Sequence, residues 1–200
     1  MLIEKHFRET EKLLRKVSAE DVADWILNKG FFPEQYILPP SFQVLEFKLQ
    51  QKPYNTDLFD LTKRQLINIS YPKTPLTSRI FGIQHPYSFH DIVFYLKENW
   101  KDVLEHLFHS DIKIYSYSLP IPVSKKYETS LSNLRSGRMI YEWLEMAEED
   151  LVLDSGNYQF IARTDITNFY ASIYTHSIGW ALHGREEAFK DKECKLLGNK

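Results

Sequence analysis

YQFIARTDITNFYASIYTHSIGWALHG, residues 158 to 184, decides how this chain is read. A single acidic residue, Asp165, stands between two apolar runs. YQFIART has the composition of a buried strand, and NFYASIYTHSIGWAL that of a packed helix. An aspartate at such a junction has two uses. It can accept backbone N–H bonds as a helix N-cap. It can also project from a strand end into a cleft and bind a hard cation such as Mg2+, which prefers oxygen ligands and holds substrate phosphates. Spacing alone leaves both uses open.

Working outward, the preceding helix carries Ile140, Trp143, Leu144, Ala147 and Leu151 on one face. Its other face is acidic, with Glu142, Glu145, Glu148 and Glu149 reading as solvated surface. Gly156 and Asn157 then turn the chain toward Asp165. Before that helix lie a polar stretch, 124 to 138, and an extended segment, 112 to 123, which Pro120 and Pro122 confine to an edge or a strand end. Ser88 with Asp91 forms a capping box opening a helix whose stripe is Ile92, Leu96, Trp100, Val103 and Leu107. Residues 72 to 87 read as a loop. VLEFKL (44 to 49) and LINISY (66 to 71) are candidate strands. Nearer the start, residues 2 to 16 form an amphipathic helix. Ser18 and Asp21 cap a second helix, which Gly30 ends. The order of helices, short strands and helices, then strand–Asp–helix, predicts an α+β fold.

Composition bounds the function. Two hundred residues, 43% hydrophobic and 26% charged, suit one or two globular domains with a real core. The net charge of -2 gives no global basic signal, and local patches decide polyanion binding. Cys194 is the sole cysteine, which excludes an internal disulfide and a cysteine-rich zinc site and points to a reducing, cytoplasmic location. The first residues lack the apolar core of a secretory signal, and no apolar run is long enough to span a bilayer. Neither a phosphate-binding GxxxxGK[ST] loop nor a GxSxG elbow occurs. His106 and His109 share a helix end but lack a third ligand at zinc spacing.

The neighbours of Asp165 carry a resemblance. Asp165-Ile166, two residues, Phe169-Tyr170, one residue, Ser172-Ile173 resembles motif A of reverse transcriptases. In that family the aspartate binds both catalytic Mg2+ ions, the next residue offers its carbonyl, and the second aromatic excludes a ribose 2′-hydroxyl. The resemblance therefore implies Asp165 as the catalytic metal ligand, Ile166 as the carbonyl ligand and Tyr170 as the steric gate. Phe169 would be core. The family also places a basic fingers segment before motif A. Lys125 and Lys126, then Arg138-Met139-Ile140 and a helix, follow that order and imply contacts to the nucleotide triphosphate.

The stretches LINISYPK, SRIFGIQHP, YSYSLPIP and LRSGRMIYEWLEMAEEDL, with the motif A segment, look like the bacterial abortive-infection type of reverse transcriptase, a phage-defence group. What this implies is a right-hand polymerase. Residues 1–60 would be a helical N-terminal region, 61–156 the fingers, and 157–200 the start of an incomplete palm. The implied partners are deoxynucleoside triphosphates, a nucleic acid product and a template, and self-assembly into oligomers is also implied. Retron and group II intron enzymes share motif A, and a non-catalytic nucleic-acid-binding domain would share its fold. The palm's aromatic-x-Asp-Asp hairpin is missing. After Asp165 come only Glu186, Glu187, Asp191 and Glu193, in a charged stretch that reads as solvated surface. The expectation is an N-terminal part of a longer polymerase, inactive alone, with an exposed apolar face where the palm sheet would continue.

Overall fold

Ser18 shows how the first two helices are joined. Helix α1 spans Leu2–Leu14 and helix α2 Ala19–Gly30. Ser18 holds an extended backbone, and its Oγ accepts the Asp21 N–H at 3.1 Å. Asp21 replies to the Ser18 hydroxyl, which donates to its carboxylate at 2.8 Å. The expected cap is present. The computed structural model describes residues 2–32, 39, 41–54, 64–111, 136–164, 166 and 169–192, with the backbone alone at 136–140, 142, 170 and 171.

On α1, His6, Thr10, Leu13 and Leu14 are buried, the spacing of one helical stripe. Leu13 and Leu14 join Val22 of α2 and Trp100, Leu104 and Phe108 in one core. Phe7 meets Phe108 with ring centroids 4.8 Å apart. A second core joins Ala23 and Leu27 of α2 to Val93. Leu27 and Val93 are fully buried, and each such side chain contributes about 1.5–3 kcal/mol.

The strand expected over 44 to 49 does not form. The Asn28 side chain substitutes for a neighbouring strand: its Oδ1 accepts the Phe47 N–H at 2.8 Å and its Nδ2 donates to the Phe47 carbonyl at 3.1 Å. The strand expected at 66 to 71 does form. Strand β1, Ile67–Thr74, pairs antiparallel with β2, Thr77–Ile83, placing Ile69 opposite Phe81 and Ile67 opposite Ile83. Residues 72 to 83 therefore belong to a hairpin rather than to the loop expected over 72 to 87. Pro72 sits beside a register irregularity, where a missing N–H is tolerated. At the turn, Thr74 Oγ1 accepts the Thr77 N–H at 3.1 Å.

Helix α3, Pro86–Glu98, starts earlier than its expected Ser88–Asp91 cap. His85 is the N-cap, its Nδ1 accepting the Tyr87 N–H at 3.2 Å, and Pro86 takes the first turn, where no N–H is needed. Asn99 then breaks the helix, and α4 runs Trp100–Leu107. The buried residues are His90, Val93, Trp100, Leu104 and Phe108, whereas Ile92 and Leu107 of the expected stripe are exposed. A polar residue, His90, marks the inward face, and the break at Asn99 resets the phase.

In helix α5, Ser136–Ser155, the inward face is shifted from the expected stripe, of which Trp143, Ala147 and Leu151 are half-buried. Met146 and Asp150 are buried, Trp143 meets His6 edge to face at 5.9 Å, and Leu144 is exposed. Glu145, Glu148 and Glu149 are exposed, as their position in the acidic face implies. The chain divides into two compact units, Met1–Leu151 and Val152–Lys200. In the second, residues 158–164 are irregular and exposed instead of forming the expected strand: the only described sheet is β1–β2, and a strand needs a hydrogen-bonded neighbour. The helix expected after Asp165 is interrupted into α6, Phe169–Ser172, and α7, His176–His183, followed by α8, Arg185–Lys190. Gly184 links the last two with φ 80°, a conformation that suits glycine. The described residues thus form a mixed α+β structure with a small two-stranded sheet.

Candidate functional site

Asp165 lies outside the described residues, as do Lys125 and Lys126. Arg138 falls in the first turn of α5, and only its backbone is described. Ile166 stands in irregular chain and is exposed. Phe169 opens α6 and is 48% exposed, not the core residue expected. Tyr170 follows it in the same turn, with backbone alone described. Ser172 Oγ donates to the Phe169 carbonyl at 2.9 Å, which tightens that turn. Of the motif residues described, Ile166 therefore lies in irregular chain and Phe169, Tyr170 and Ser172 in one short turn of helix.

The donor set for a cation can be tested against the downstream acids. Asp165 and the Ile166 carbonyl are hard oxygen donors, the chemistry Mg2+ prefers. Glu186 and Glu187 are exposed on α8, and Lys190 holds Glu187 at 2.8 Å. That contact keeps the Glu187 carboxyl below its ordinary range. Among the described residues no group of three or more His, Cys, Asp or Glu is arranged to hold a metal. His109 Nδ1 accepts the Asp111 N–H at 3.3 Å at an exposed helix end.

A polar network absent from the sequence reading is built on α3. His90 is fully buried, and its Nε2 accepts the Gln50 N–H at 2.9 Å. That bond assigns the ring proton to Nδ1, which reaches Asp91 Oδ1 at 3.1 Å. Oδ1 also accepts the Tyr54 N–H at 2.7 Å, and Oδ2 accepts Arg64 Nη1 at 3.2 Å. The Arg64 side chain is only 4% exposed. Its guanidinium lies 5.6 Å from the Tyr87 ring centre, and Tyr87 stacks on Tyr54 at 4.1 Å. Burial pushes the Asp91 carboxyl up, but the Tyr54 N–H, His90 and Arg64 together outweigh it and leave it below the ordinary range.

A histidine oriented by an aspartate is also the arrangement of a general base. Here the basic nitrogen, Nε2, is already occupied by a backbone amide and sealed from solvent. The network is therefore structural, and it fastens residues 50 to 54 and Arg64 onto α3. The signal was the dipeptide His90-Asp91 one turn inside a proline-started helix. Assigning Asp91 to a cap concealed it.

Comparison of the chain with protein-family models, curated proteins and solved structures gives no match. No helix among the described residues is long and apolar enough to cross a membrane.

Proposed function

We propose that this chain carries the fingers and first palm segment of a reverse transcriptase of phage-defence type. The observation that carries this reading is the run from Asp165 to Ile173: a carboxylate, an aliphatic residue, two aromatics and Ser-Ile at the spacing of motif A. The order of basic residues before it, Lys125, Lys126 and Arg138, agrees with a nucleotide-binding fingers segment.

Phosphoryl transfer asks a protein mainly for positioning and neutralisation of charge. Mg2+, when bound, would supply neutralisation at the reacting phosphate. Asp165 and the Ile166 carbonyl would hold it. Arg138, with Lys125 and Lys126, would meet the triphosphate of a deoxynucleoside triphosphate, and arginine can do so bidentately. Tyr170 would close the space that a 2′-hydroxyl needs. The remaining carboxylates of such a site would come from outside this chain's described acids, since Glu186 and Glu187 lie on a solvated helix. Template, product strand, self-assembly and cytoplasmic action belong to the same proposal.

The test is incorporation of labelled deoxynucleotides by the product of the complete reading frame. Asp165→Asn should abolish incorporation while leaving the circular dichroism spectrum unchanged. Wild-type levels of synthesis by Asp165→Asn would sink the assignment and leave a nucleic-acid-binding domain without polymerase chemistry.

A further inference from the structure

We propose that the outward face of α1 is a docking surface for the sugar–phosphate backbone of nucleic acid. The choice of nucleic acid rests on the polymerase reading, and the surface extends that reading to a strand contact far from motif A in sequence.

The buried stripe of α1 is His6, Thr10, Leu13 and Leu14. At 100° per residue, Lys5, Arg8, Lys12 and Arg15 fall together on the opposite side. All four are exposed. They extend over about 15 Å of helix axis, against about 3.4 Å per nucleotide along one strand of a duplex, so the row can address several successive phosphates. Lys16, in the turn that closes the helix, continues it.

The acids of α1 do not cancel this row. Glu4 and Glu11 lie at one margin and Glu9 at the other. Glu11 pairs with Arg8 at 3.3 Å and with Arg15 at 3.0 Å, which aligns the two guanidinium groups along the helix. The Arg8 and Arg15 side chains are 50% and 46% exposed and Glu11 is 20% exposed, so the cations stand outside the carboxylate that orders them. Such solvent-exposed pairs are weak, a small barrier to exchange for phosphate. The whole chain is net acidic, so the row is segregation of charge rather than overflow from a basic protein.

Charge alone also fits an anionic lipid surface. A helix lying in a membrane needs a free apolar face beside its basic one. The apolar side of α1 is already spent on the core, against Trp100, Leu104 and Phe108. The complement that remains is a polyanion met by charge, not a bilayer met by insertion.

The experiment is fluorescence anisotropy of a labelled single-stranded oligonucleotide against the chain over a salt series. The variant carries Lys5→Gln, Arg8→Gln, Lys12→Gln and Arg15→Gln. A matched control removes four exposed lysines elsewhere, Lys29, Lys48, Lys52 and Lys101. Each phosphate contact contributes about 0.7 to the slope of log affinity against log salt, so the α1 variant should lose about 3 from that slope and at least about tenfold in affinity. The control should keep most of both. Equal losses in the two variants, no loss in the α1 variant, or no binding by the wild type would each overturn the proposal. So would row-dependent binding to phosphatidylserine vesicles with none to the oligonucleotide. Asp165→Asn, measured beside them, should bind the strand as the wild type does. A failed polymerase assignment and a failed α1 surface thus give different results.

Discussion

The carboxylate of Asp150 caps the start of α1 from another helix: Oδ1 accepts the Leu2 N–H at 2.7 Å and Oδ2 the Ile3 N–H at 2.9 Å. Asp150 is only 5% exposed. The first N–H groups of a helix have no partner within it, and a negative charge there also meets the positive end of the helix dipole. The cap therefore joins α5 to α1 through backbone groups, beside the His6–Trp143 ring contact.

Asp150→Ala should cost about 0.5–2 kcal/mol, the usual range for loss of a cap. Asp150→Asn keeps one acceptor oxygen and should cost less. Urea unfolding followed by tryptophan fluorescence measures both. An Asp150→Ala midpoint equal to wild type would show that the two N–H bonds add nothing to stability.

Asp91 sets an acid limit. Its folded-state carboxyl titrates below its unfolded value, which is about 3.9. The stabilisation it contributes is therefore fully present above that value and is lost as pH falls through the lower, folded-state one. Urea midpoints for the wild type should be insensitive to this group near neutral pH and should drop below about pH 4. Asp91→Asn should be less stable at neutral pH by about 1–3 kcal/mol, because Arg64 and the Tyr54 N–H lose a charged acceptor. Its midpoint should also vary less with acid than the wild type's. An identical acid profile for both proteins would remove Asp91 from the account.

What could be read in the sequence was what is local. The Ser18–Asp21 cap and the Ile67, Ile69, Tyr71 alternation are set by neighbours a few residues away, and both features are present. The parts that escaped depend on side chains crossing between elements. His90 is polar, so a hydrophobic stripe drawn through α3 passes it by, although it is as fully enclosed as Val93. Asp150 sits in an acidic run and looks solvated until the N-terminus of α1 is placed against it. Asn28 replaces a strand partner for Phe47, a bond that no alternation of apolar residues can report. The second strand of the hairpin was hidden by Pro72 and Pro75, which read as loop.

The apolar surface of the second unit should bind a hydrophobic dye. Tyr158, Phe160, Ile161, Ile178 and Phe189 are all more than half exposed. Exposed apolar side chains that gather into a patch bind partners or cause aggregation. The chain should enhance the fluorescence of an anilinonaphthalene dye at neutral pH without denaturant. Phe160→Ser with Phe189→Ser should reduce that enhancement and raise the soluble yield. A dye-silent wild-type monomer would show that these side chains are covered in solution.

Tyr170 offers the sharpest functional prediction, because its proposed role is steric. A rigid ring under the sugar of an incoming nucleotide rejects a 2′-hydroxyl by occupying its space, and specificity is a difference between two substrates. Tyr170→Ala in the product of the complete reading frame should therefore raise ribonucleotide incorporation far more than it changes deoxynucleotide incorporation. Competition between the two substrates measures the ratio directly. A loss of about 2–3 kcal/mol of discrimination corresponds to a shift of roughly 30- to 150-fold. Tyr170→Phe should retain the wild-type ratio, since the gate needs the ring and not the hydroxyl. If Tyr170→Ala slows both substrates equally and leaves the ratio unchanged, Tyr170 supports the turn that begins at Phe169 and does not select the sugar.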